Sequence, residues 1–162
     1  MIKFADTDLV FREVPDEITL AINITGCPHR CKGCHSPHLQ TDTGEELTAY
    51  KIDKMLEDPK YSAATCVAFM GGDGDIETLL QINSEVKKRH PEIKTCWYTG
   101  FCWADIEFRL ISGSIFKFDY VKIGPYMEEL GPIDNPKSNQ IMLKKIGPCA
   151  MKNITKLFRK TV

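Results

Sequence analysis

Three cysteines within one short loop constrain this chain more than any other feature of its sequence. The loop spans residues 26–35, and its cysteines, Cys27, Cys31 and Cys34, have the spacing C-x3-C-x2-C. Three thiolates this close in sequence can surround a single inorganic centre, and Gly33 admits backbone angles that a side chain would forbid. The spacing therefore predicts a metal-binding loop.

The number of ligands limits which centre the loop can hold. A structural zinc site takes four protein ligands, and an ordinary four-iron cluster takes four cysteines. Three cysteines on a cubane cluster would leave one iron open, so that a substrate could bind the metal directly. The residues alone leave a second possibility open: a zinc site with His29, His35 or His38 as its fourth ligand, in an interaction module without catalysis.

The other cysteines bear on the compartment of the protein. The 162-residue chain has seven cysteines, an odd number that cannot be fully paired as disulfides. With no recognisable signal peptide, we expect reduced thiols and a cytoplasmic location. Cys66 and Cys96 lie within predicted strands and are expected to be buried. Cys102 and Cys149 have no evident role.

The charge balance excludes whole classes of partner. The chain has 21 basic and 22 acidic residues and a formal charge of -1. This balance offers no general attraction to nucleic acid or to an anionic membrane. The longest uncharged stretches, residues 18–29 and 61–72, have 12 residues each, whereas a membrane-spanning helix needs roughly 18. We expect a soluble single domain over residues 1–162, with no nucleic-acid or membrane partner.

Strands and helices alternate along most of the chain. The predicted strands are residues 19–25, 65–70, 93–98 and 118–123, and the predicted helices are residues 49–57, a helix from Asp75 to before Pro91, and residues 103–110. This order is typical of a parallel sheet wrapped by helices, whose strand ends face one pocket. Four prolines within residues 125–148 predict mostly irregular structure there, with one short strand near residues 141–143.

The cysteine loop and the strand ends resemble the radical S-adenosylmethionine superfamily. Within it, the chain is most similar to the activating proteins of anaerobic (class III) ribonucleotide reductases, from about residue 8 to residue 140. Besides the loop, the motifs that carry the resemblance are Met70-Gly71-Gly72-Asp73, Trp97-Tyr98-Thr99-Gly100, residues 119–126 and Ser138-Asn139-Gln140. The cysteine spacing is highly specific to the superfamily, and the order of the later motifs favours this family.

The resemblance implies roles for particular residues. A 4Fe-4S cluster would be held by Cys27, Cys31 and Cys34, with S-adenosylmethionine bound to the open iron. Gly33, Cys34 and His35 would line that cofactor, and Gly71, Gly72 and Asp73 would receive its amino group. Lys122 could neutralise its carboxylate. Many superfamily members carry an aromatic residue where this chain has Gly33, so the candidates to hold the adenine are His35, Tyr98 and Ile123.

The resemblance also implies a fold and an activity. The fold would be α/β, an incomplete, half-open (β/α) barrel with parallel strands, because a complete eight-stranded barrel takes about 250 residues. A reduced flavodoxin-like or other low-potential donor would supply one electron for cleavage of S-adenosylmethionine to a 5'-deoxyadenosyl radical. That radical would generate a glycyl radical on the large subunit of anaerobic ribonucleoside-triphosphate reductase, a reaction that needs no side-chain acid or base.

Two other radical enzymes remain as alternatives. One is the activating enzyme of another glycyl radical enzyme, of the formate-lyase type. The other acts on a small molecule, and would usually have extra strands or an insertion that closes the site. In the favoured interpretation the barrel is open on one side, and residues 124–147 are expected to line that opening and contact the macromolecular partner.

Overall fold

The strands of the protein form one β-sheet. The computed structural model describes residues 1–108 and 113–159, and this part of the chain contains eight strands. In chain order they are β1 (Lys3–Val10), β2 (Thr19–Ile24), β3 (Glu45–Glu46), β4 (Cys66–Met70), β5 (Lys94–Tyr98), β6 (Tyr120–Ile123), β7 (Ile141–Gly147) and β8 (Ala150–Asn153). The four strands predicted before residue 124 are confirmed as β2, β4, β5 and β6.

Along the chain, the helices alternate with the central strands. They are α1 (Ala49–Glu57), α2 (Ile76–Arg89) and α3 (Trp103–Phe108), with 3-10 turns at Pro37–Gln40, Ile115–Lys117 and Thr155–Leu157. The side chains of Thr48 and Asp75 cap α1 and α2 by accepting hydrogen bonds from backbone N–H groups of their first turns. The prediction of both helices is confirmed, while Leu110, the predicted end of the third, lies outside the described residues. No helix in the described ranges is long and apolar enough to cross a membrane.

The sheet is open and mixed, so the prediction of an incomplete, half-open barrel of parallel strands is wrong. The strand order is β3-β1-β2-β4-β5-β6-β7-β8, and within residues 1–108 and 113–159 the two edge strands are not joined. Pairing is parallel from β2 through β4 and β5 to β6, but antiparallel at both sides of this central block. Only the central block has the predicted arrangement.

The outer strands explain why the prediction failed. β1 carries Asp6, Thr7 and Asp8 and lacks the continuous apolar run of a buried strand, so the sequence did not reveal it. After β6, the connection at residues 124–140 contains Pro125, Pro132 and Pro136 and no described helix. Without a crossover helix the chain returns beside β6 as antiparallel β7, which is longer than the short strand predicted there.

Alternate residues of the central strands face two different cores. One face packs against the helices, with the fully buried Phe69, Trp97 and Val121 on the strands. The other face carries Cys66, Ala68, Cys96, Tyr120 and Met142, which pack with Val14 and Ile154. Cys66 and Cys96 have no measurable exposure, which confirms that they are buried. The candidate site lies where this second face meets the carboxyl ends of the strands.

Candidate functional site

The cysteine loop begins directly after β2. Its first cysteine is tied to the returning segment, because the Cys27 N–H donates to the Leu39 carbonyl at 3.0 Å. All three loop cysteines are free thiols with intermediate exposure. Burial, with the nearby Asp73 carboxylate adding to it, raises the pKa of the Cys27 thiol. The loop therefore holds three unpaired thiols at the surface of the site.

A cavity of about 1080 Å³ lies beside this loop, at the carboxyl ends of the central strands. The predicted site residues that line it are Cys27, Cys31, Cys34, His35, Gly71, Asp73, Tyr98 and Lys122. Gly33, Gly72 and Ile123 are not among the described residues that line it. A Cβ at Gly72 would lie 2.9 Å from Leu79, and Ile123 is buried in the helix-side core.

The Asp73 carboxylate is the most tightly held polar group of the cavity. Three donors converge on its Oδ2: His29 Nε2 at 2.6 Å, Thr99 Oγ1 at 2.9 Å and the Gly100 N–H at 2.8 Å. Its Oδ1 is buried and has no hydrogen-bond partner among the described residues. An acceptor left unpaired in a buried position costs free energy unless a ligand supplies the donor.

The imidazole of His29 has two close neighbours. Its ring packs edge-on against Phe101, with centroids 4.9 Å apart. Gly100 also lies against the ring: a Cβ there would stand 2.5 Å from it, a distance that only glycine permits. The ring can therefore approach the backbone closely enough for Nε2 to reach Asp73.

Tyr98 is the last residue of β5 and Lys122 the penultimate residue of the adjacent β6, and both side chains line the cavity. The Tyr98 hydroxyl donates to the Glu13 carbonyl, and burial raises its pKa. Lys122 Nζ lies 5.6 Å from the Tyr98 ring centroid and 3.5 Å from the Gly124 carbonyl oxygen. Burial lowers the pKa of Lys122 to about 8, although the negative charge of Asp73 opposes the shift.

The segment after β6 packs against the cysteine loop. The Tyr126 ring lies 4.7 Å from that of His35, and Glu128 Oε2 lies 3.4 Å from Lys32 Nζ. A Cβ on Gly33 would touch the Glu128 side chain, and Gly33 itself has a φ of +69°. The segment thus forms one wall of the cavity, with Tyr126 in its lining.

The histidines considered as a fourth zinc ligand have other surroundings. His29 is bonded to Asp73, His35 packs on Tyr126, and His38 is exposed on the 3-10 turn after the loop. In residues 1–108 and 113–159, no three His, Cys, Asp or Glu side chains lie close enough together to hold a single metal ion.

Comparison with protein families identifies the loop and the sheet around it. The model of the 4Fe-4S single cluster domain matches residues 18–137, which include all three loop cysteines. The chain belongs to this family. Comparisons with curated proteins and with solved structures gave no match.

The residues of this 4Fe-4S single cluster domain fit such a cluster. Cysteine thiolates are the usual ligands of iron–sulfur clusters, and the three thiols of the loop line one cavity. Cys102 and Cys149 are exposed and are not part of the described lining. The loop therefore offers three ligands from the chain, one fewer than a fully cysteine-bound cluster has.

Sequence reasoning missed the donors that hold Asp73. It considered His29 only as a zinc ligand and assigned no role to Thr99 or Gly100. A signal was present, because Thr99 and Gly100 directly follow β5, and Asp73 follows the adjacent parallel strand β4. The carboxyl ends of neighbouring parallel strands lie side by side, which brings these residues together.

Proposed function

We propose that this protein is a radical S-adenosylmethionine enzyme that generates a glycyl radical on a large anaerobic ribonucleotide reductase. One observation carries the proposal: three free thiols share a cavity with a buried carboxylate oxygen that has no partner among the described residues. The thiols fit a cluster with one open iron, and the carboxylate fits the amino group of a bound amino acid.

Asp73 is suited to receive an ammonium group. Its Oδ2 is fully engaged by His29, Thr99 and Gly100, so the carboxylate cannot turn without breaking these hydrogen bonds. Its Oδ1 is left to accept from a ligand. A charge-assisted hydrogen bond there would be roughly twice as strong as a neutral one.

Lys122 supplies the opposite charge in the same cavity. In the described part of the chain no carboxylate forms an ion pair with it, and burial disfavours its charged form. A ligand carboxylate would stabilise that form. An amino acid group, with one positive and one negative end, therefore suits a cavity that presents Asp73 and Lys122.

A 4Fe-4S cluster held by Cys27, Cys31 and Cys34, with S-adenosylmethionine bound to it, would supply one-electron reductive cleavage of the sulfonium and removal of a hydrogen atom from a glycine Cα, with the electron coming from a low-potential, flavodoxin-like donor. The protein's own part is to hold the two groups in contact and to limit access of water. Asp73 and Lys122 would orient the amino acid end, and no side chain would exchange a proton.

A macromolecular substrate is supported by the size and position of the cavity. Its volume of about 1080 Å³ slightly exceeds the range of about 300–1,000 Å³ for sites that enclose a small ligand. The segment after β6 borders it through Tyr126, and the exposed Phe11 and Leu157 also line it. We propose that a glycine-bearing segment of the reductase enters between these walls.

Anaerobic reconstitution with iron and sulfide, followed by reduction, tests the proposal. The wild-type protein should take up a cluster, cleave S-adenosylmethionine, and produce a glycyl radical EPR signal on the reductase only when all components are present. Cys31→Ala should lose both cluster absorbance and cleavage. Cys149→Ala, which removes an exposed cysteine outside the cavity, is the matched control.

Two outcomes would contradict the proposal. A colourless protein with one equivalent of zinc would exclude the enzyme altogether. A protein with a cluster that does not cleave S-adenosylmethionine would retain the family assignment and exclude the proposed activity.

A further inference from the structure

We infer that His29 is a positioning residue, which orients the Asp73 carboxylate so that Oδ1 faces the bound cofactor. The inference rests on the proposed function, because it concerns the group that would bind the amino end of S-adenosylmethionine. It assigns to a side chain within the cysteine loop a task apart from ligation of the cluster.

The two oxygens of the Asp73 carboxylate have unequal surroundings. All three donors contact Oδ2, and Oδ1 has none in the described residues although it is buried. A carboxylate free to rotate would share these donors between its two oxygens. The short contact from His29, at 2.6 Å, is the closest of the three.

The three donors to Asp73 come from two different segments of the chain. Thr99 and Gly100 follow β5, whereas His29 comes from the cysteine loop, between Cys27 and Cys31. His29 is thus the only one of the three that joins the ligand loop to the carboxylate. The bond sets the position of Asp73 relative to the cysteines, and a ligand that must reach both depends on that distance.

The His29 ring is itself held in one orientation. Phe101 packs edge-on against this ring, and the missing side chain of Gly100 gives the ring room to lie against the backbone. The Phe101 N–H in turn donates to Thr99 Oγ1 at 3.0 Å, which fixes a second Asp73 donor. Groups that orient the ligands of a metal ion typically change metal affinity or activity about 10-fold to 100-fold when they are removed, and we expect an effect at the lower end of this range for His29.

A matched pair of variants tests the inference. His29→Gln keeps an amide N–H near the position of Nε2, and His29→Leu has a similar size without a donor. The readout is the concentration of S-adenosylmethionine that changes the EPR spectrum of the reduced cluster, with iron content measured on each sample. His38→Ala, at an exposed histidine after the same loop, is the control.

We expect His29→Leu to keep the wild-type iron content and to need about 10-fold more S-adenosylmethionine. His29→Gln should stay within about 3-fold of the wild type, and His38→Ala should match it. In an Asp73→Ala background, His29→Leu should cause no further loss, because the two residues act as a unit.

Two results would overturn the inference without affecting the proposed function. One is wild-type affinity for S-adenosylmethionine in His29→Leu. The other is a loss of affinity from His29→Leu that is as large in the Asp73→Ala background as in the wild type. If His29→Leu failed to take up a cluster, a loss of about 10-fold in His29→Gln, which keeps a donor near the position of Nε2, would decide against the inference. A wild-type cluster that does not respond to S-adenosylmethionine would instead overturn the proposed function, and the inference with it.

Discussion

Gly100 is the residue at which the packing of the site leaves the least room. A methyl group there would lie 2.5 Å from the His29 ring, so the ring must move away. We predict that Gly100→Ala breaks the bond from His29 to Asp73, which under the proposed function weakens binding of S-adenosylmethionine about 10-fold. The shift of the His29 ring protons in NMR spectra of the cluster-free protein measures the displacement directly.

Gly113→Ala is the control for this change, because a Cβ there meets no atom within 4 Å. Unchanged ring-proton shifts in Gly100→Ala would contradict the prediction, whether or not the protein binds S-adenosylmethionine.

Lys122 gives the cluster-free protein a measurable pH dependence. Its pKa is lowered by burial to about 8, against about 10.4 in an unfolded chain. Below pH 8 both states carry the proton, and the folded state bears the full cost of the buried charge. From pH 8 to about 10.4 the unfolded state binds more protons, so this group makes stability rise with pH.

We therefore predict that Lys122→Met stabilises the cluster-free protein by a few kcal/mol at pH 7, since one pKa unit corresponds to about 1.4 kcal/mol. Its advantage over the wild type should shrink as the pH rises from 8 to 10.4. Urea unfolding of both proteins across this range measures the difference. A constant difference would show that Lys122 is not a buried cation in the folded protein.

Glu17 connects the amino-terminal ends of three parallel strands through hydrogen bonds to its carboxylate. Its carboxylate accepts hydrogen bonds from Thr65 Oγ1 at 2.7 Å, from Tyr120 Oη at 2.9 Å and from Lys94. Burial alone would raise the pKa of Glu17, but these donors outweigh it and lower the pKa. Glu17 thereby ties β4, β5 and β6 at the end of the sheet opposite the cavity.

We predict that Glu17→Gln lowers the free energy of unfolding by about 2 kcal/mol at pH 7, the cost of weakening hydrogen bonds to a charged group. Because the folded pKa is the lower one, the contribution is complete above the unfolded value of about 4.3 and declines as the pH falls through the folded value. Urea unfolding at pH 7 and pH 3 checks both statements. Glu46→Gln, at an exposed site on β3, should change little; an equal loss in the two variants would contradict a specific role for Glu17.

The sequence was sufficient to predict those strands and helices whose apolar residues follow a regular pattern and are buried in the fold. β2, β4 and α2 have continuous apolar runs or a helical apolar face with a cap, so local physics defines them. β1 and β8 are edge-region strands with mixed exposure, and their pairing depends on neighbours distant in sequence. The antiparallel return of β7 depends on the course of the connection after β6. The amino-acid composition of that connection does not determine its course.

Some residues of the candidate site could likewise be predicted from the sequence, and others could not. The loop cysteines could be found from spacing alone, and Gly71 and Asp73 from their place after β4. The role of His29 could not, because it depends on the approach of its ring to Gly100, 71 residues later in the chain. A histidine between two cysteines suggests a metal ligand from sequence, whereas the only hydrogen bond described for the His29 side chain is with Asp73.

For the whole molecule, one sheet and a shared core predict cooperative unfolding. The helix-side core includes Ile2 and Phe4 near one terminus and Leu143 in β7 near the other. We predict a single transition in urea for the cluster-free protein, with coincident curves from far-ultraviolet circular dichroism and tryptophan fluorescence. Trp103→Phe makes the fluorescence report on the fully buried Trp97 alone. Two separated midpoints would show that the chain has more than one folding unit.

Because side chains alternate along the central strands, substitutions on the helix side and substitutions on the cavity side have different effects. Trp97 and Val121 support the helices, while their direct neighbours Tyr98 and Lys122 face the cavity. A substitution at a cavity position can therefore alter ligand preference without opening a void beneath the helices. Every second residue of these strands can therefore be changed from the cavity side, while the residues between them keep the core beneath the helices intact.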